Sequence, residues 1–188
     1  MRLFVFARHA ESAANIEHVL SSDPARPVAL TSRGRDQARQ LGVRLANLDI
    51  DLAVVTSFLR TRETAEVALD GRDVPILVEP DLDDVRAGIF DGAPIEDYWS
   101  WRDRHTHSDR LPLGESLDET ARRYANALNR LLERPEQVTL VVGHELAIRS
   151  IVGSDLEIAN ATPYLLDEQA VRRAAERLSI ESRTEAAA

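Results

Sequence analysis

The sequence predicts an α/β protein, a three-layer α/β/α sandwich built on a mostly parallel sheet. Three observations lead there. Leu3–Ala7 and Val138–Gly143 are short, nearly unbroken apolar runs, the signature of strands buried on both faces of a parallel sheet. Amphipathic stretches of helical length lie between the strand-like runs, the alternation of βαβ units. At 188 residues the chain is long enough for a sizeable core and short enough to form one domain.

The elements follow in order. Leu3–Ala7 is the first strand, with Arg8 and His9 directly after it. Ala10–Asn15 opens a short helix or tight turn whose backbone N–H groups can face an anion. Ser21–Pro27 is a loop, broken by Asp23-Pro24 and Arg26-Pro27. Thr31 is placed to cap a helix that runs to about Asn47, with Ala38, Leu41, Leu45 and Leu48 along one face. Asp51–Thr56 is a second strand, Phe58–Leu69 a helix with Arg60 in its first turn, and Val74–Val78 a third strand. Asp81–Gly92 reads as loop. Pro94–Ser108 holds a helix of a turn or two with both tryptophans; Tyr98, Trp101 and His105 share its inward face, leaving Trp99, Arg102 and His107 for substrate contact. Ser116 and Glu119 form a capping box for a helix that Pro135 ends at about Arg134, with Leu117, Ala121, Tyr124, Leu128 and Leu131 on its apolar face. The Val138–Gly143 strand ends in His144, and a helix follows around Ala147–Val152. Thr162–Leu166 is a last strand, Glu168–Leu178 a last helix, and Arg183–Ala188 a frayed tail.

Composition bounds the function. An apolar fraction of 44% and a charged fraction of 29% suit a soluble globular chain. No apolar stretch approaches the roughly 20 residues that span a bilayer. Arg8 interrupts the N-terminal run too soon for a signal peptide. With no cysteine, disulfides, thiolate catalysis and cysteine-ligated zinc are excluded. A cytoplasmic address with no membrane partner is the expectation. The net charge of −9 argues against nucleic-acid binding, yet Arg8, Arg60 and two histidines can still make a locally positive pocket for an anionic substrate. Oligomeric state leaves no trace in the sequence.

His9 and His144 each stand at the carboxyl end of a buried strand, where open α/β sheets bind ligands, so one shared site is expected. Neutral imidazole is a competent nucleophile near pH 7, and the planar fork of arginine matches phosphate oxygens. Around these residues stand four blocks: Arg8-His9-Ala10-Glu11-Ser12-Ala13-Ala14-Asn15; Leu30-Thr31-Ser32-Arg33-Gly34-Arg35-Asp36-Gln37-Ala38; Ser57-Phe58-Leu59-Arg60-Thr61-Arg62-Glu63-Thr64-Ala65; and Gly143-His144. In this order, from the first strand to about Asn160, they resemble the histidine phosphatase (phosphoglycerate-mutase-like) superfamily, branch 1.

The resemblance implies a phosphoglycerate-mutase-like fold over residues 1–188, with a lid-like insertion at about 93–113. It implies that His9 attacks phosphorus and becomes a phosphohistidine that water hydrolyses. Arg8, Arg60 and His144 would meet the charge on the equatorial oxygens, replacing a metal or other cofactor, and Ser12 and Asn15 would add neutral hydrogen bonds. Arg62, two residues on, competes with Arg60 for its role. The general acid has two candidates. Asp84 stands where the mutase-like branch carries glutamate, in Leu82-Asp83-Asp84-Val85-Arg86-Ala87-Gly88; Glu145 follows His144 where the acid-phosphatase branch carries aspartate. Asp84 is favoured, with Glu145 kept as a substrate contact. Ala10 replaces the family's usual glycine, which is harmless if that position is already helical. The expected function is a phosphatase acting on a small phosphorylated substrate and holding inorganic phosphate. A phosphoglycerate-type mutase and a weakly catalytic phosphate-binding module are the alternatives.

Overall fold

The computed structural model describes residues 2–153 and 158–184. Five strands, β1 (Leu3–Arg8), β2 (Leu52–Val55), β3 (Ile76–Val78), β4 (Val138–Gly143) and β5 (Pro163–Asp167), form one sheet in the order β3-β2-β4-β1-β5. All pairs are parallel except β1 with β5, which run antiparallel at the edge.

Because side chains alternate along a strand, the apolar runs feed two cores. Phe4, Phe6, Leu52, Val54 and Val141 point to one face, where α5 (Leu117–Glu133), α6 (Glu145–Val152) and α7 (Glu168–Thr184) cover them. Val5, Ala7, Ala53, Val55, Leu140 and Val142 point to the other, against α2 (Ser32–Arg44) and α3 (Leu59–Ala68). This double coverage is why β1 and β4 read as continuous apolar runs rather than alternating ones. The sequence expectation of an α/β/α sandwich holds. Among the described residues no helix is long and apolar enough to cross a membrane.

The smaller helices are α1 (Ala13–Glu17) and α4 (Ile95–Arg102). Several boundaries differ from the sequence reading: α2 ends at Arg44 rather than about Asn47, and β3 begins at Ile76 rather than Val74. The helix after His144 begins at Glu145 rather than Ala147, with His144 itself as N-cap. The last helix runs six residues past Leu178, to Thr184, so Arg183 is helical; residues 185–188 of the expected tail lie outside the described residues. Helix α4 stops at Arg102, so His105 does not share a helical face with Tyr98; its ring instead stacks on Trp101 at a centroid distance of 3.7 Å.

Candidate active site

β1 and β4 pair in register with Arg8 opposite Gly143, so the next residues, His9 and His144, leave the sheet side by side. Their rings meet edge to face, 5.5 Å apart. The His9 backbone N–H donates to the Gly143 carbonyl at 2.9 Å, and Asn160 Nδ2 donates to the His9 carbonyl at 2.6 Å.

Hydrogen-bond chemistry assigns both tautomers. His9 Nδ1 lies 2.8 Å from the Ala10 carbonyl, which can only accept, so Nδ1 carries the proton and Nε2 presents its lone pair. Arg60, buried in the first turn of α3, donates from Nε to that Nε2 at 3.2 Å. Its Nη2 also reaches His144 Nδ1 at 3.2 Å, and since arginine only donates, the His144 proton sits on Nε2, facing Thr56 Oγ1 at 2.9 Å. One guanidinium therefore bridges the two histidines. It is fixed by Ser21, through Oγ at 3.1 Å and the carbonyl at 2.9 Å, and by the Phe58 ring beneath it at 4.3 Å. Arg62, the alternative, is exposed and pairs with Glu66.

Burial, reinforced by the charge of Arg60, holds both histidines well below the ordinary imidazole range. Both are thus neutral near pH 7. Asp84 behaves oppositely: burial raises its carboxyl above the usual range, against the pull of Arg60. Its Oδ2 lies 3.7 Å from His144 Nδ1, while Oδ1 accepts from the Val85 N–H at 2.9 Å.

The other expected residues surround this core. Arg8 donates to the Ile158 carbonyl at 3.0 Å and pairs with Glu145 at 2.8 Å; its buried Nε finds no hydrogen-bond partner among the described residues. Glu145 also pairs with Arg149, one helical turn on. Its carboxylate is therefore clamped between two guanidiniums. Ser12 and Asn15 bind each other, the Ser12 N–H and hydroxyl both donating to Asn15 Oδ1 at 3.0 and 3.1 Å, and both also line the cavity. All eight expected site residues except buried His144 line one cavity of about 290 Å³, and His144 touches that lining through Arg60. Among the described residues no group of three or more His, Cys, Asp or Glu is placed to hold a metal ion.

Several supporting residues escaped the sequence reading. Thr64 Oγ1 accepts from the Ala10 N–H at 3.0 Å and donates to the Arg60 carbonyl, tying the first block to the third. Gln37 accepts from the Glu11 N–H at 2.8 Å, and Gly34 packs so tightly that a Cβ would lie 2.0 Å from the Glu11 carbonyl oxygen. The second block thus clamps the turn that follows His9. Buried Arg123 donates to the carbonyls of Asp81, Asp83 and Asp84 at 3.0, 2.5 and 2.7 Å, while Glu115 pairs with Arg123 and accepts from the Arg86 N–H at 2.9 Å. Together they pin the backbone that carries Asp84. Ala10 is not helical, since α1 begins at Ala13; alanine is tolerated because its φ is not positive.

The family model of the histidine phosphatase superfamily (branch 1) matches residues 4–173. The chain belongs to this superfamily and is an enzyme of its type. It is 31% identical over 163 residues to a protein of Erwinia tasmaniensis named "Probable phosphoglycerate mutase GpmB", spanning 82% of this chain and 75% of that one. Among solved structures, TTHB049 from Thermus thermophilus is 26% identical with a TM-score of 0.67, covering 88% of this chain and 92% of that one. The alpha-ribazole phosphatase of Shigella flexneri, 24% identical with a TM-score of 0.76 over 88% of this chain and 90% of that one, shares the fold.

Proposed function

We propose that the protein is a metal-independent phosphomonoesterase that hydrolyses a small phosphorylated metabolite through a phosphohistidine at His9. The observation that carries this reading is the unprotonated Nε2 of His9, held in a cavity beside Arg60. In the first step Nε2 forms a bond to phosphorus as the P–O bond to the alcohol breaks. Asp84 supplies the proton that the departing alkoxide needs, and its raised carboxyl range suits that role. In the second step water attacks phosphorus, Asp84 takes its proton, and the N–P bond breaks to release inorganic phosphate. Arg8, Arg60 and His144 stabilise the equatorial oxygens in both steps. Thr56 can donate or accept, so it lets His144 turn its proton toward the phosphoryl group when phosphate displaces Arg60 from Nδ1. Glu145, occupied by Arg8 and Arg149, serves as a binding-site carboxylate rather than the acid.

The test is turnover of an aryl phosphate and an alkyl phosphate with chelator present. Wild type should hydrolyse both, and His9→Ala neither. Asp84→Asn should lose the alkyl ester far more than the aryl one, because an aryl leaving group departs with little protonation. A wild type inert on a broad panel would move the phosphate-binding module ahead. Likeness to the GpmB proteins favours a mutase as second reading, and that activity would require a bisphosphate primer.

A further inference from the structure

The cavity has two chemically different ends. Beyond the phosphoryl end its wall is formed by Val19, Ile95, Tyr98, Trp99 and Leu146. Ile95, Tyr98 and Trp99 stand at i, i+3 and i+4 of α4, so one helical face supplies most of that wall. The wall is fixed in place: Leu20 N–H donates to the Ala93 carbonyl at 2.9 Å, and Ile95 N–H to the His18 carbonyl at 3.0 Å. Trp99 packs edge-on against Tyr98 at 5.0 Å, yet 53% of it is exposed, which core packing does not account for.

Charge sharpens the contrast. Among the described residues the cavity's one cation besides Arg8 and Arg60 is Arg149; with Arg8 given to the phosphoryl group, Glu145 is left to pair with Arg149. Beyond the phosphoryl end a substrate carboxylate would find no unpaired cation among the described lining residues and would meet the Glu145 carboxylate. The volume of about 290 Å³ lies at the small end of ligand cavities, which run from roughly 300 to 1,000 Å³. It suits a single small molecule.

Building on the phosphomonoesterase reading, we propose that the leaving alcohol is uncharged and carries an aromatic ring seated against Trp99, between Ile95 and Leu146. The phosphoryl group then sits on His9 and the ring lies along the face of α4.

Three primary alkyl esters test this, chosen because all need the same protonation: 3-phenylpropyl phosphate, propyl phosphate and 3-phosphoglycerate. The phenylpropyl ester should exceed propyl phosphate in kcat/KM by about 100-fold or more, since even one methylene in an apolar pocket is worth about 10–200-fold. Phosphoglycerate should do no better than propyl phosphate. Trp99→Ala should reduce the phenylpropyl ester about tenfold more than the propyl one, and Trp99→Phe should restore most of the difference. Equal use of the phenylpropyl and propyl esters, or a preference for phosphoglycerate, overturns the proposal while leaving a phosphatase. Binding separates the two readings further. In Trp101→Phe, Trp99 is the sole tryptophan, and 3-phenylpropylphosphonate should shift its fluorescence at far lower concentration than propylphosphonate. That result in a protein that hydrolyses no ester would keep the ring site and sink the phosphatase reading. No difference between the two phosphonates would sink the ring site.

Discussion

The strand-end platform and the α4 rim are built by opposite means. His9, Arg60 and His144 are almost wholly buried, the histidines delivered by strands paired on both sides and Arg60 by the first turn of α3, and they are cross-linked through Thr56, Thr64 and Ser21. The rim, by contrast, presents exposed Trp99 beside half-buried Ile95 and buried Tyr98 from a helix of eight residues, held to the 18–20 segment by a few backbone bonds. A platform of donors that cannot move suits charge development on a phosphoryl group, which rewards preorganisation. A rim of apolar side chains on a short helix suits choice among alcohols. On the proposed reading chemistry falls to one region and selectivity to the other, and substitutions in the two should separate along those lines.

The largest effect is expected from His9→Ala, which removes the proposed nucleophile and should lower kcat by at least about 10⁴-fold in a direct assay of phosphate release. Asp84→Asn should cost about 10²–10⁴-fold on an alkyl phosphate and far less on an aryl phosphate, a ratio that Glu145→Gln should not reproduce. Arg60→Lys keeps the charge but loses the fork between the two histidines, and should reduce kcat/KM by about 10²–10³-fold. Arg123→Met leaves Glu115 buried without its partner and should lower stability by about 3–5 kcal/mol in denaturant unfolding. None of these rests on the rim.

The smallest effect is in pH. Two histidines held neutral in the fold bind protons in the unfolded chain below pH ~6.5 that the folded chain does not bind. Stability should therefore fall as pH drops below that value. The melting temperature of His144→Asn should depend less on pH over this range than that of wild type. Burial acts on Asp84 with the opposite sign, favouring its protonated form, so its contribution fades as pH rises through its folded value.

Much of the platform was legible in the sequence because strands and caps are local. Unbroken apolar runs mark β1 and β4, the residue after each run marks a histidine, and Ser116 with Glu119 marks the start of α5. What escaped depends on distant partners. Glu115 sits one residue before that capping box, and its role exists only because the fold brings Arg123 and the Asp81–Asp84 backbone to it. Thr56 at the end of β2 acquires meaning only beside His144, 88 positions away. At the rim, helical periodicity alone pointed Tyr98, Trp101 and His105 inward. Early termination of α4 at Arg102 frees His105 to stack on Trp101, and the cavity takes Ile95, Tyr98 and Trp99 instead. Arg102 and His107, expected to meet substrate, do not line it.

The most direct measurement is mass spectrometry of the peptide containing His9 after mixing enzyme with substrate and quenching in alkali, where phosphohistidine survives. A phosphoryl group on His9 that forms within the first turnover and disappears as phosphate is released is the predicted result. Phosphate release at full rate with His9 never modified would contradict it, and would mean that water attacks the substrate directly.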